Sequence, residues 1–372
     1  MLIERIDLYR VAMPLLYPWR TAYGEDAVIE SILVKLTGGG RVGWGEASPL
    51  AAPLYSPEWA AGVFATARQW LAPRLVGQDV RSGPQLQQLL GLVKGNQFAK
   101  GGLDLAWWDL HAQEQGQPLY RVLGGQHPVI SVGADFGVMD RIEDLVRDVQ
   151  AAVAAGFRRV KLKFRPGWDL PMLRAVRQAC PDAVLHIDCN SGYRLADVAL
   201  FRAVDEFNLA MIEQPLGHDD LLDHAALQRE IRTPICLDET INSVDRARQA
   251  LAIGACQYVN IKPGRVGGLT NALAIHELCH QHGTPCWVGG MLESAVGVAH
   301  CIALGTLPGF TYPADVFPTS RFYRQDLADP EIVLSGASQV TALERPGIGT
   351  APDPERLQRL TVEHAAIVAG VS

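Results

Sequence analysis

The stretch "RRVKLKF" (residues 158–164) opens a series of short apolar runs that end in charged residues, and this series decides the fold. The others are "VLHIDCN" (184–190), "LAMIEQP" (209–215), "PICLDET" (234–240) and "YVNIKP" (258–263). Each run has the length of a buried strand, and helical patterns such as "MLRAVRQAC" (172–180) lie between them. This alternation predicts a parallel sheet covered by helices on both faces.

Three further runs extend the series in both directions. They are "VISVGADFGV" (129–138), "PCWVGG" (285–290) and "FTYPAD" (310–315). Eight strand candidates between residues 126 and 320 predict a closed α/β barrel.

The first third of the chain has a different pattern. Residues 2–16 and 28–47 alternate as strands do, and about 57–115 show helical periodicity. We therefore predict an α+β domain over residues 1–125. The C-terminal segment 321–372 is expected to pack back on this domain and complete it.

Three acidic residues end successive predicted strands. Asp188, Glu213 and Asp238 are each 25 residues apart, one strand-helix unit. Since the carboxyl ends of barrel strands meet at one mouth, these carboxylates should lie close together, and their repulsion calls for a cation. Oxygen ligands of this kind suit magnesium or manganese.

Lysines flank this acidic group in the predicted barrel. Lys161 and Lys163 are two apart on one strand and face the same side, while Lys262 comes from the far side. Near a divalent cation, the pKa values of neighbouring lysines should be lowered, as a general base requires. The pattern predicts abstraction of the α-proton of a carboxylic acid, with the metal stabilising an enediolate.

The motifs "KLKF", "HIDCN", "MIEQP", "CLDE" and "NIKPGRVGG", in this order, resemble those of the enolase superfamily. The likeness covers nearly the whole chain and is closest to the o-succinylbenzoate synthase and N-acylamino acid racemase group of the muconate cycloisomerase branch. It implies a modified (β/α)7β TIM-like barrel with an α+β capping domain. Metal-assisted proton abstraction by lysine is established chemistry of that superfamily.

The resemblance also implies roles for individual residues. Mg²⁺, or Mn²⁺ in its place, would be held by Asp188, Glu213 and Asp238, with Lys163 and Lys262 as the acid/base pair and Lys161 as the residue that tunes Lys163. Asn190, Glu239 and Arg265 would surround this group, and an arginine at position 265 is similar to the racemising members. In a synthase reaction Lys163 alone would take the proton, and Lys262 would stabilise the enolate as a cation.

Substrate choice is expected to lie in the loops 17–25, 48–58 and 289–294. The predicted contacts are Trp19, Tyr23, Tyr55, Asp135, Gly290, Met291, Leu292 and Glu293. The three aromatic residues fit an acyl or aromatic group, although a place in the core explains them equally well. Where relatives tend to have a small hydroxyl residue, this chain has Asp135, which would repel a succinyl carboxylate or bind an amine.

Composition narrows the possible partners. The net charge of −7 argues against nucleic acid, and the charged N-terminus and lack of long apolar runs favour a cytoplasmic protein without membrane contact. A small carboxylate substrate is the expected partner, and the resemblance implies a homo-oligomer. The seven cysteines contain no Cys-x-x-Cys and are expected to be buried or idle thiols.

The stretch "HELCHQHG" (276–283) carries the signature of zinc peptidases. A zinc site needs a third ligand, and the extended motif has Cys286 where it wants histidine. Gly268 and Gly283 bound a helix that follows the Lys262 strand, and its polar arc should turn His276 and His280 to solvent outside the barrel. The sequence therefore disfavours a peptidase.

The resemblance predicts an o-succinylbenzoate synthase of menaquinone synthesis, an N-succinyl or N-acylamino acid racemase, or both. A muconate-type cycloisomerase and a non-catalytic binding barrel remain as alternatives. Acid-sugar dehydratases are disfavoured because "CWVGGM" (286–291) lacks their histidine. Dipeptide epimerases are disfavoured because "YPADV" (312–316) has only Asp315 where they usually have two acids.

Overall fold

The computed structural model describes residues 1–369. The N-terminal part of the chain forms an antiparallel sheet. In this sheet β2 pairs with β1 and β3 on either side. The elements are β1 Arg5–Arg20, β2 Glu25–Gly38, β3 Arg41–Ala47, α1 Ala60–Thr66, a π-helical turn Ala67–Leu71, α2 Ala72–Leu75, α3 Gly83–Leu90, α4 Gln97–Gln115 and α5 Leu119–Val122.

Helix α4 lies directly on strand β3. A side chain at Gly45 would collide with the main-chain oxygen of Gly102 and the main-chain nitrogen of Ala106. On the barrel side, a Cβ at Gly101 would lie 2.8 Å from the main-chain oxygen of Gly264. Small residues therefore let α4 touch both the sheet and the short helix that follows Lys262.

The second part is a curled parallel sheet with helices between its strands. Within residues 1–369 its strand order is β11-β10-β9-β8-β7-β6-β5. The elements are β4 Val129–Ser131, β5 Ala134–Phe136, α6 Ile142–Ala154, β6 Arg159–Lys163, α7 Leu170–Ala179, β7 Val184–Asp188, α8 Val198–Val204, β8 Ile212–Glu213, α9 Leu222–Glu230, β9 Ile235–Leu237, α10 Val244–Ala252, β10 Tyr258–Ile261, α11 Pro263–Val266, α12 Leu269–Gln281, β11 Cys286–Val288 and α13 Ala295–Gly305.

The eighth strand candidate, residues 310–315, is not a regular strand, because Pro313 has no N–H to donate. It still joins the two edges of the sheet. Phe310 forms a bridge with Cys286, and Ala314 forms one with Val132. The predicted fold class, a modified (β/α)7β barrel with an α+β cap, is confirmed.

The first strand candidate, residues 129–138, is broken into β4 and β5. Gly133 lies at the break, and a side chain there would collide with the guanidinium of Arg159 inside the barrel. The close approach of this buried arginine explains the glycine. The prediction of one continuous strand was wrong because the pattern does not reveal Arg159.

The C-terminal segment contacts both parts of the molecule. Strand β16 pairs with β1, whereas β14 pairs with β4. The domain boundaries placed at 125/126 and 320/321 from the sequence stay a prediction. The elements of this segment are β12 Ala328–Asp329, β13 Leu334–Gly336, β14 Gln339–Thr341, β15 Ala351–Pro352, α14 Pro354–Leu360 and β16 Thr361–Val368.

The structure also bears on two features considered from the sequence, membrane-spanning segments and the cysteines. Within residues 1–369, no helix is long and apolar enough to cross a membrane. The seven cysteines all fall inside that range and are buried free thiols, as predicted.

Gly45→Ala should lower the free energy of unfolding by about 1–3 kcal/mol, because the new Cβ forces β3 away from the backbone of α4. The urea midpoint measures this loss. Gly217→Ala is the control, since the nearest atom to its Cβ would be 3.8 Å away. Equal midpoints for both variants would contradict the close packing.

Asp109 on α4 is fully buried and accepts hydrogen bonds from the backbone N–H of Trp44 (2.7 Å) and Ile348 (2.8 Å). Burial raises its pKa to about 7. The folded-state pKa thus lies above the unfolded value of about 3.9. The folded protein then binds this proton more tightly, so stability from Asp109 is full at low pH and is lost as pH rises from about 4 to about 7.

Asp109→Asn should remove this pH dependence. Near pH 5.5 the variant should be less stable by about 1–3 kcal/mol, because its amide NH₂ faces a backbone donor. Near pH 8.5 the deficit should shrink, because the wild type then carries a buried charge. Urea unfolding at both pH values tests this, with exposed Asp245→Asn as control. A deficit that stays constant with pH would argue against the raised pKa.

Candidate active site

The predicted metal ligands and lysines all lie at the carboxyl ends of neighbouring barrel strands. Lys161 and Lys163 are on β6, Asp188 and Glu213 end β7 and β8, and Asp238 and Lys262 immediately follow β9 and β10. All six residues are buried, with at most 7% of their surface exposed. The strand register predicted from the sequence thus brings these charges into one buried region.

Lys161 is the common partner of the acidic residues on one side. Its Nζ lies 3.0 Å from Asp188 Oδ2, 2.9 Å from Glu213 Oε2 and 2.8 Å from Asp315 Oδ2. Lys163 Nζ lies 2.7 Å from the same Asp188 oxygen. Two of the predicted ligands therefore share one ammonium group.

Asp238 belongs to a second group of charges. Its carboxylate is paired with Lys262 Nζ at 3.0 Å and with Arg265, and it accepts a hydrogen bond from Tyr55 Oη at 3.1 Å. Lys262 Nζ also lies 4.6 Å from the centre of the Tyr55 ring. Asp238 therefore lies with Lys262, Arg265 and Tyr55 on the side of the site opposite Lys163.

The lysines lie between the carboxylates in this arrangement. Accordingly, among residues 1–369 no three His, Cys, Asp or Glu side chains are grouped closely enough to hold a metal ion. The donor set still fits Mg²⁺, because all three predicted ligands are buried carboxylates, and carboxylate oxygens are the donors that this ion prefers. Asp188, Glu213 and Asp238 are the residues that would hold it.

The protein's own charges set the pKa values here. Burial favours the neutral forms, yet Lys161 and Lys163 hold the pKa of Asp188 below its ordinary value. Burial likewise lowers the pKa of Lys161, but the carboxylates of Asp188, Asp315 and Glu213 outweigh it and raise that pKa. The lowered lysine pKa expected from the sequence therefore requires the additional charge of a divalent cation.

The three residues expected around the ligands do contact them or each other. Asn190 donates its backbone N–H to Asp188 Oδ1 at 2.9 Å, and its Nδ2 lies 3.4 Å from Glu239 Oε1. Burial and the nearby Asp188 raise the pKa of Glu239 to about 8. Arg265 binds Asp238, which also binds Lys262, so it acts on the charge around Lys262 through a shared carboxylate.

One cavity unites the lysines with the predicted substrate contacts. Its walls include Trp19 near the end of β1, Tyr23 from the connection between β1 and β2, and Tyr55 from the loop between β3 and α1. The cavity also contains Asp135 on β5, the loop residues Gly290, Met291, Leu292 and Glu293, and Lys161, Lys163, Asn190 and Lys262. The cap therefore closes the mouth of the barrel over the charged residues.

Sequence reasoning missed a second buried charge network below the cavity. Arg159 Nη1 lies 2.6 Å from Asp315 Oδ1, and its guanidinium faces the rings of Trp287 and Tyr312. His186 Nδ1 lies 2.9 Å from Tyr312 Oη. A signal for Asp315 was present, since it ends the run "FTYPAD" as the other acidic residues end theirs.

The "HELCHQHG" motif lies in and just after α12, and it is not part of this site. His280 is exposed, as expected. His276 is half-buried and stacks on Phe310 with ring centres 4.8 Å apart, so the prediction that it faces solvent was wrong. Its aromatic neighbour comes from the segment that closes the barrel, a contact that helical periodicity does not reveal.

Comparison with known families agrees with this geometry. Residues 5–124 match the family "Mandelate racemase / muconate lactonizing enzyme, N-terminal domain", and residues 144–356 match "Enolase C-terminal domain-like". The chain belongs to the enolase superfamily. It is 43% identical to an o-succinylbenzoate synthase of Geobacillus kaustophilus, with 96% of each chain covered. It is 41% identical to an N-succinylamino acid racemase of Thermus thermophilus, covering 97% of this chain and 98% of that one.

Solved structures of the enolase superfamily show the same architecture. A member from Listeria innocua superposes with a TM-score of 0.95 at 35% identity, covering 99% of each chain. A dipeptide epimerase of Cytophaga hutchinsonii, solved with Mg and the dipeptide D-Ala-L-Val, superposes with a TM-score of 0.90 at 26% identity. These alignments cover 99% of this chain and 100% of the epimerase. The fold is therefore that of the superfamily throughout.

Asp315→Asn should lower the free energy of unfolding by about 3–5 kcal/mol, because it leaves the buried Arg159 without its carboxylate. The urea midpoint measures this. Asp245→Asn is the matched control, since it removes an exposed partner of Arg248 and should cost about 0–1 kcal/mol. Losses of similar size in both variants would show that Asp315 does not hold the network.

Proposed function

We propose that this enolase-superfamily protein racemises N-acylamino acids by removing the α-proton and returning a proton to the opposite face. The observation that carries the proposal is the placement of Lys163 and Lys262. Both line one cavity, yet they stand on β6 and just after β10, with three strands between. An α-carbon bound between them would have an amine on each face, as proton removal from one face and return to the other require.

The remaining residues support these two lysines. Asp188 and Asp238 pair with Lys163 and Lys262 respectively, so each ammonium is oriented by a different carboxylate. Lys161 adds a positive charge beside Lys163. Mg²⁺ held by Asp188, Glu213 and Asp238 would supply a positive charge that stabilises the enediolate formed from the substrate carboxylate.

The cap completes the site by excluding water. Trp19 and Tyr55 are at most 7% exposed and stand over the lysines. A dry cavity strengthens the interaction of the lysines with the developing negative charge. It also limits the loss of the abstracted proton to solvent.

An o-succinylbenzoate synthase activity is a second candidate, favoured by the 43% identity to the Geobacillus kaustophilus enzyme. In that dehydration Lys163 would take the α-proton and return it to the departing hydroxyl, which leaves as water, while Lys262 would remain a cation beside the enolate. The same site serves both reactions, since each passes through an enediolate. A cytoplasmic location, a place in menaquinone synthesis and a homo-oligomeric state stay predictions.

Proton NMR of each enantiomer of N-succinylphenylalanine in deuterated water tests the proposal. With Mg²⁺ the wild type should exchange the α-proton of both enantiomers and interconvert them. Lys163→Ala and Lys262→Ala should each slow racemisation by about 100-fold or more. Each variant should retain exchange of only the enantiomer whose α-proton faces the remaining lysine, whereas the exposed Lys94→Ala should behave as wild type.

Other outcomes would reject the racemase. Turnover of the synthase substrate without exchange of either enantiomer would select the dehydration. Turnover of muconate alone would select a lactone-forming cycloisomerase. Binding of these substrates by the wild type without turnover of any of them would point to a non-catalytic binding barrel.

A further inference from the structure

Asp135 is a buried carboxylate to which the proposed mechanism gives no role. It lies on β5, is 6% exposed and lines the cavity. Its Oδ1 has no hydrogen-bond partner among residues 1–369. A buried carboxylate oxygen without a donor costs several kcal/mol, so a group that enters the cavity is expected to satisfy it.

The nearest cations of the protein are already engaged elsewhere. Lys163 Nζ lies 2.7 Å from Asp188, and Lys161 is shared by Asp188, Glu213 and Asp315. Arg321 donates to the main-chain oxygen of Asp135. The protein therefore leaves the Asp135 carboxylate available to a ligand.

The surroundings of Asp135 favour a positively charged group. Asp26 lines the same cavity and adds a second acidic side chain, and Trp19, Phe317 and Phe322 supply aromatic walls. This aromatic cluster already accommodates one guanidinium, because Arg321 lies 4.9 Å from the centre of the Phe317 ring and 5.7 Å from that of Phe322. Aromatic faces attract cations most strongly where water is excluded.

We infer that Asp135 is a specificity-determining residue that binds a positively charged ammonium or guanidinium group of the substrate. The inference rests on the proposed function and narrows it to N-acylamino acids with a cationic group in either their side chain or their acyl group. An apolar group at this place would leave the carboxylate unsatisfied, and an acidic group would be repelled by it.

Calorimetric binding and α-proton exchange, both with Mg²⁺, test the inference on three ligands. N-succinyl-L-lysine carries the ammonium in the side chain, β-alanyl-L-norleucine carries it in the acyl group, and N-succinyl-L-norleucine has none. One of the two cationic ligands should bind the wild type roughly 10-fold or more tightly than the neutral-side-chain reference, as expected for a charge-assisted hydrogen bond. Whichever ligand does so identifies the source of the cation.

Asp135→Asn and Asp135→Ser should bring this affinity ratio close to 1. Asp140→Asn is the matched control, since this neighbouring carboxylate is exposed and paired with Arg20, and the ratio should persist there. Equal affinities for all three ligands in the wild type, or an unchanged ratio in both Asp135 variants, would overturn the inference. A ratio that depends on Asp135 without α-proton exchange would reject the racemase but support the role of Asp135, whereas exchange without any preference would reject that role alone.

Discussion

The pairing of Lys161 with three carboxylates is the interaction on which the site depends. Asp188, Glu213 and Asp315 are buried and would repel one another, and one ammonium lies within 3.0 Å of an oxygen of each. Removing water from so many acidic groups is costly unless each has a counter-charge. The barrel tolerates its acidic interior because lysine and arginine residues are interleaved with the acids.

Asp238 shows the same principle on the other side. Lys262 and Arg265 share its carboxylate, and Tyr55 from the cap donates a hydrogen bond to it. This contact couples the closure of the cap to the charges of the barrel. Asp135 differs from these acids because its carboxylate forms no ion pair within residues 1–369, and its Oδ1 also has no hydrogen-bond donor there.

Much of the site was predictable because parallel strands impose a simple rule. Residues at the ends of successive strands meet at one edge, so the regular spacing of Asp188, Glu213 and Asp238 predicted their common location. The same rule applied to "FTYPAD" would have found Asp315, but Pro313 makes that segment irregular. The contacts of Arg159 and the break at Gly133 were not predictable, because they join residues that have no periodic relation.

The sequence by itself determined the order of strands and helices, the acidic and basic residues at the mouth of the barrel, and the family resemblance. Local periodicity and residue spacing carry that information. Only the tertiary structure decided which cation neutralises which carboxylate, that His276 stacks on Phe310, and that Asp135 Oδ1 has no donor within residues 1–369. These outcomes depend on distances between side chains from different elements, and such distances exist only once the barrel has closed and the cap has covered it.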